Sequence, residues 1–100
     1  MHPRFTSVDP DRKVILTYDF SLALPAGVTL SGSPTVAVTV EFGTDATPNA
    51  IVTSSQISGA LVYVAVAGMQ DQTDYAIKVD VPTSNASISM AYTKVLPVRS

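Results

Sequence analysis

The residue types that carry out most enzymatic chemistry are nearly absent from this chain. Its 100 residues include a single histidine, His2, and no cysteine. Nucleophilic catalysis needs a base beside the nucleophile and a third group that orients the base. Serines are plentiful, but the only histidine lies next to the first residue, where we expect no fixed surroundings. The sequence therefore predicts that the protein is not an enzyme and carries no cofactor.

Two pairs of aspartates are the remaining candidates for chemistry. Asp9 and Asp11 flank a proline, and Asp71 and Asp74 share one loop. A calcium ion takes roughly six to eight oxygen ligands from a defined loop, and neither pair belongs to a longer acidic series. Loop aspartates more often shape turns through bonds to nearby backbone N–H groups. We therefore expect no metal site, and the absence of cysteine excludes thiolate sites and disulfides.

Charge and hydropathy exclude two classes of partner. Six basic against eight acidic residues give a net charge of −2, and the basic ones are scattered, so no stripe could neutralise a nucleic-acid backbone. The longest apolar stretch, residues 60–67, is far shorter than the roughly 20 residues of a membrane helix. The first ten residues lack the apolar segment of an export signal. We expect a protein that binds neither nucleic acid nor membranes and is assembled in the cytoplasm.

Alternating apolar residues indicate β-strands. Residues 34–42 and 75–81 alternate apolar with polar or small side chains, which only an extended strand sorts onto two faces. The run at 60–67 is apolar on both faces, as in a central strand covered on both sides. The predicted core is Val36, Val38, Val40, Phe42, Val62, Val64, Tyr75, Ile77, Val79, Ile88 and Met90.

The spacing of these segments predicts one all-β domain over residues 14–100. Strands are predicted at 14–20, 35–42, 50–53, 60–67, 74–81 and 86–96, with residues 22–30 as an edge segment or a connection. About seven antiparallel strands separated by turn signals are typical of an immunoglobulin-like β-sandwich, although spacing alone leaves a closed barrel open. The strand order stays undetermined. The paired cysteines and the tryptophan of antibody domains are missing.

Residues 1–13 carry no periodic apolar pattern and are predicted to form a flexible N-terminal arm. The arm contains an aromatic, an aliphatic and two arginine side chains, a mixture that protein interfaces favour. Charged residues make up only 14% of the chain, below the roughly 25% of ordinary soluble domains. We expect low-charge surfaces to be covered by neighbouring subunits. The candidate interface residues in the arm are Arg4, Phe5, Val8 and Arg12.

Two segments resemble a known family. Residues 7–20 (SVDPDRKVILTYDF) resemble the opening of small immunoglobulin-like proteins encoded in the structural gene blocks of tailed bacteriophages. Residues 73–81 (TDYAIKVDV) and 86–92 (ASISMAY) are similar to the hairpin that closes those domains. Phe20 stands nearest to the place where the family usually has tryptophan. Residues 82–85 replace its glycine-containing turn.

The resemblance implies a structural role in a virion. It implies a non-enzymatic subunit that decorates the capsid head, the collar or the tail, present in many copies and in contact with other virion proteins. The alternative is a carbohydrate-binding or host-surface adhesion module. Exposed aromatic rings clustered on one face would favour the alternative, because sugars stack on such rings. An arm ordered against a neighbouring subunit would favour the structural role.

Overall fold

The computed structural model describes residues 4–99, which form two three-stranded antiparallel sheets packed as a β-sandwich. The first sheet has the order β1-β4-β3 and the second sheet the order β2-β5-β6. The predicted all-β class is confirmed. The six strands are β1 (Val14–Asp19), β2 (Thr35–Phe42), β3 (Val52–Ser58), β4 (Leu61–Val66), β5 (Thr73–Pro82) and β6 (Ser89–Val98).

The core lies between the two sheets and is built by side chains that alternate along the central strands. In β5, Tyr75, Ile77 and Val79 are fully buried, whereas Lys78 points to solvent. In β4, the valines at 62, 64 and 66 are buried against them. The Tyr18 hydroxyl donates to the backbone carbonyl of Ile77 at 2.8 Å and ties the first sheet to the second. Burial, and next to it the nearby Tyr92, raises the pKa of Tyr18 above its ordinary value.

Most of the predicted core is confirmed, but Phe42 is not part of it. Its side chain is 62% exposed. The pairing of β2 with β5 is regular up to Val40 opposite Tyr75, but Phe42 then lies opposite Asp74. This β-bulge inserts one extra residue and so moves the next side chain to the other face. The alternation of apolar residues in the sequence does not reveal such a bulge.

Ile88, another residue of the predicted core, is also misplaced. Ile88 is half-buried and precedes β6, in a turn where its N–H donates to the carbonyl of Asn85 at 2.9 Å. Leu22, in the segment predicted as an edge segment or a connection, is fully exposed. The segment around it is a connection, and only its end pairs with the rest of the fold, through a bridge from Leu30 to Thr83.

The serine-rich residues 54–58 form most of β3, although the sequence predicted a connection there. Their backbone pairs with β4 from Ser54 opposite Ala65 to Ser58 opposite Leu61. The turn that follows is only two residues long, and its Gly59 has a φ of 60°. A tight hairpin next to the strongly apolar β4 imposes strand structure on residues with modest strand propensity.

The free edge of β2 is covered by a short 3-10 helix, Pro48–Ile51. Its Asn49 side chain accepts a hydrogen bond from the Val38 N–H at 2.8 Å, and Ile51 is buried. No helix in the described part of the chain is long and apolar enough to cross a membrane.

Candidate functional site

The arm is not free in its described part: residues 4–8 run parallel to β6 and cover its edge. The Phe5 N–H donates to the carbonyl of Val95 at 2.8 Å, and the Val8 N–H donates to that of Pro97 at 3.1 Å. The Arg99 N–H returns a bond to the carbonyl of Val8 at 2.8 Å. An unpaired edge strand invites association with other chains, and here this chain supplies the cover.

Phe5 anchors the arm on the inner side of β6. Its ring packs edge-to-face against Tyr18, with the ring centroids 5.6 Å apart. The Lys94 ammonium lies 4.2 Å from the centroid of the same ring, within the range of a cation–π contact. The side chain is half-buried and packs against the core. An aromatic ring therefore fills the gap between the edge of β6 and the first sheet.

Arg4 anchors the arm on the opposite side of the same edge. Neighbouring residues of an extended segment point to opposite faces, and the Arg4 guanidinium reaches Asp74 on β5 with an N–O distance of 2.9 Å. To do so it must cross β6 on its outer face, where Val95 and Pro97 are buried. Phe5 and Arg4, adjacent in the arm, thus lie on opposite faces of β6.

The carboxylate of Asp74 is shared by two arginines. Arg99 places a guanidinium nitrogen 2.9 Å from Oδ1, while Arg4 donates a well-aligned hydrogen bond to Oδ2. The Arg99 contact lacks hydrogen-bond alignment and is an ion pair alone. The Arg99 guanidinium also lies 6.0 Å from the centroid of the exposed Phe42 ring. Asp74 is therefore the point at which the arm and the end of β6 are tied to β5.

The other two candidate interface residues have different places. Val8 is half-buried against the core and pairs with Val98. Arg12 is exposed and belongs to a turn in which its N–H donates to the carbonyl of Asp9 at 3.0 Å. The structure corrects the expectation of a freely reaching arm, because three of the four candidates bind β6 or β5 of their own chain. Whether these residues also contact a neighbouring subunit stays a prediction.

A second surface stands out on the outer face of β4. Leu61, Tyr63 and Ala65 are half-buried there, and no further layer of this chain covers them in the described structure. The sequence predicted cover on both faces, and this chain supplies it on the inner face only. Ile15, 69% exposed, lies beside Ala65. A groove of about 430 Å³, lined in part by Lys13, Ile15 and Ala65, opens at one end of this surface.

The outer surface of the first sheet carries little charge. The register places Thr17 and Gln56 on either side of Tyr63, and Asp19 and Ser58 on either side of Leu61. Asp19 is the one charged residue among these positions, and bonds from Ser21 lower its pKa. We call the surface formed by Ile15, Thr17, Leu61, Tyr63, Ala65 and Gln56 the β4 outer surface.

A hydrogen-bonded corner lies at the start of β5. The Tyr75 hydroxyl donates to Asp45 Oδ2 at 2.7 Å and accepts from the Gln70 N–H at 2.8 Å. Burial, and then the bond to Asp45, raises the pKa of Tyr75 to about 12. The phenol thus stays neutral and fixes the loop before β5 to the loop after β2. The sequence placed Tyr75 in the core but did not indicate these partners.

Of the four aspartates considered for chemistry, Asp74 pairs with the two arginines, whereas Asp9 and Asp71 accept bonds from nearby backbone N–H groups. Asp9 Oδ1 accepts from the Asp11 N–H at 2.9 Å, and Asp71 Oδ1 accepts from the Gln72 N–H at 2.8 Å. No group of three or more metal-binding side chains occurs within residues 4–99. His2 lies outside the described residues. In the same range, Phe42 is the single large aromatic side chain that is mostly exposed.

Comparisons with protein families, curated proteins and solved structures found no match to this chain. The resemblance to phage immunoglobulin-like proteins therefore stays a prediction.

Proposed function

We propose that the sandwich is immunoglobulin-like. The orders β1-β4-β3 and β2-β5-β6 correspond to the B-E-D and C-F-G sheets of immunoglobulin domains. In this correspondence residues 4–8 precede strand B and lie beside the strand that corresponds to G, as a further strand that would bring the count to seven. The parallel bridges from Arg4 to Val95 and from Val8 to Val98 support that assignment.

The corner at Tyr75 is a second support for this fold. Immunoglobulin-like domains carry a tyrosine near the start of strand F whose hydroxyl bonds to the backbone a few residues upstream. Tyr75 is the third residue of β5, the strand that corresponds to F, and it accepts from the Gln70 N–H. The position and the partner both fit, although the cysteines and the tryptophan of antibody domains are absent.

We propose that the protein is a non-enzymatic structural subunit of a tailed-phage virion, as a head decoration, a collar or a tail adornment. The observation that carries the proposal is the β4 outer surface, an apolar and nearly uncharged area on a central strand. Such an area is expected where a neighbouring subunit covers it. The partners are other virion proteins and further copies of this chain, assembled in the bacterial host cytoplasm.

The alternative function, an adhesion or carbohydrate-binding module, has less support. A sugar-stacking platform needs several exposed rings on one face, and the described surface offers mainly Phe42. Tyr63, on the β4 outer surface, is half-buried. These rings lie on different sheets and cannot form one platform.

The proposal is tested by the composition of purified particles. Particles from producing cells are separated on a density gradient, and the copies of the chain per particle are counted by quantitative mass spectrometry. We expect the chain to band with the particles in many copies. A chain that stays wholly in the soluble fraction, while the particles form at their normal yield, would contradict the structural role.

A further inference from the structure

The segment that covers β6 is joined to the domain by a short link, residues 9–13. Pro10 in this link is half-buried and the other residues are exposed. Its two turn hydrogen bonds, from the Arg12 N–H to the Asp9 carbonyl and from the Asp11 N–H to Asp9 Oδ1, are internal to the link. Aspartate at the first position and proline at the second favour such a turn. This local turn directs the arm back onto its own domain.

The hydrogen bonds, the ion pair and the ring contacts of residues 4–8 are made with β6, Arg99, β5 and Tyr18. They comprise the backbone bonds to β6, the packing of Phe5 on Tyr18 and the ion pair of Arg4 with Asp74. The same residues arriving from another copy would meet the same partners in the same geometry. A mutual exchange of identical segments conserves every contact except those of the link.

We propose that the edge of β6 is a joining site between copies of this chain, where residues 4–8 of one copy pair with β6 of a second copy. Backbone bonds to a sheet edge supply much of the attachment in such strand addition, and side-chain anchors supply the specificity. The anchors here are Phe5 on the inner side and Arg4 on the outer side of β6. The site is specific because its two anchors must straddle the strand.

Length and concentration set the conditions for the exchange. Between Val8 and Val14 the extended link spans at most about 20 Å, so the second copy must lie directly beside the first. A tethered segment competes at an effective concentration of roughly millimolar. Neighbouring copies packed side by side in a particle would reach such concentrations. The inference rests on the proposed many-copy assembly for this condition, whereas its test uses the isolated protein.

The first test offers the arm as a separate peptide. The receiving protein is the full chain with Arg4→Ala and Phe5→Ala, whose own arm has lost both anchors; circular dichroism checks that it is folded. The ligand is a fluorescent peptide of residues 1–13, and the control peptide carries the same two substitutions. We expect the unchanged peptide to bind at least about tenfold more tightly than the control, with NMR shifts at Val95 and Tyr18. Equal binding of both peptides would overturn the proposal.

The second test forces the choice between the two arrangements and decides alone if the first variant is unfolded. Deleting Pro10 and Asp11 removes the turn between Asp9 and Arg12 that directs the arm back to its own β6, and it lowers the greatest reach of the link from about 20 Å to about 13 Å. We expect this full chain to sediment as a concentration-dependent dimer, and Arg4→Ala with Phe5→Ala in the same shortened chain to restore the monomer. A shortened chain that remains a monomer at about 1 mM, the effective concentration of a tethered segment, would overturn the proposal.

The two proposals fail separately. A chain found in many copies in particles, but whose β6 edge rejects the peptide, keeps its structural role and loses the strand exchange. A chain absent from particles that still binds the peptide retains the joining site without the virion role.

Discussion

The two central strands, β4 and β5, occupy equivalent positions in their sheets but differ on their outer faces. Both point valine or isoleucine side chains into the core. Outward, β5 presents Asp74, Lys78 and Asp80, whereas β4 presents Leu61, Tyr63 and Ala65. One fold therefore accepts a charged and an uncharged outer face at the same structural position.

The difference separates the features that the sandwich requires from those that it does not. Because β5 occupies the same central position with charged residues outside, the sandwich does not require the apolar outer residues of β4. Solvent-exposed apolar area lowers solubility and is retained where a partner covers it. The two sheets also differ in how their edge strands are covered. The second sheet has β6 covered by the arm and β2 by Asn49, while in the described structure β1 and β3 have no strand beyond them.

The largest effect on stability is expected on the inner faces of β4 and β5, where the two strands are alike. Ile77→Ala on the inner face of β5 should lower the free energy of unfolding by about 2–5 kcal/mol, because it removes buried methyl groups and leaves a cavity. Val64→Ala on β4 should act in the same direction but less, since fewer atoms are lost. Urea unfolding measures both. As the control, Lys78→Ala on the exposed face should change the stability by less than about 0.5 kcal/mol. An Ile77→Ala effect as small as that of the control would place the core elsewhere.

The inner faces were predictable from the sequence because burial repeats with period two. Val38, Val62, Ile77 and Val79 followed that pattern and are buried. Phe42 did not, because a bulge precedes it. The bulge depends on the pairing of β2 with β5, which cannot be read from the residues of β2 alone. The length of the strands was equally hidden at 54–58, where pairing with β4 overrides weak propensity.

For the candidate sites, the sequence indicated some of the residues but not their partners. The arm residues were recognised by their chemical types, but their partners are distant in sequence: Arg4 and Asp74 are 70 positions apart. Nothing in the order of residues says whether such a segment binds its own domain or another one. That choice depends on tertiary contacts and on the concentration of neighbours.

The corner at Tyr75 distinguishes the start of β5 from β4, which has no such tie. Tyr75→Phe should cost about 2 kcal/mol, because it removes bonds to Asp45 and to the Gln70 N–H. The pKa of Tyr75 is raised to about 12 from its ordinary value of 10.0. The neutral phenol therefore stabilises the fold fully below about pH 10, and this contribution is lost as the pH rises from 10 to 12.

Urea unfolding at several pH values measures this contribution. The stability difference between the wild type and Tyr75→Phe should be constant at neutral pH and shrink between pH 10 and 12. A difference that is unchanged across that range would mean that the hydroxyl is not held as described. Tyr63→Phe, on β4 and without such a tie in the described contacts, is the matched control.

The coupling energy between Arg4 of the arm and Asp74 of β5 should be measurable but small. Arg4 is half exposed, with 51% of its side chain accessible, so its coupling to Asp74 should be about 0.5–1 kcal/mol. A double-mutant cycle of Arg4→Ala and Asp74→Ala isolates this value. The coupling should fall in 0.5 M salt, because screening weakens partly exposed pairs. A coupling near zero at low salt would leave Phe5 and the backbone bonds as the only anchors.

The smallest effect on stability, and the sharpest test of the comparison, comes from one substitution made on both sheets. Thr17 on β1 lies beside Tyr63, and Thr39 on β2 lies beside Ala76; both threonines are exposed on the outer side of an edge strand. Thr17→Lys and Thr39→Lys should each shift the free energy of unfolding by less than about 0.5 kcal/mol. Only Thr17→Lys places a charge in the β4 outer surface, where a covering subunit would have to desolvate it. Incorporation into particles should therefore fall for Thr17→Lys and stay normal for Thr39→Lys. If both variants incorporate equally, the apolar outer face of β4 is not the contact surface, and its difference from β5 has no bearing on assembly.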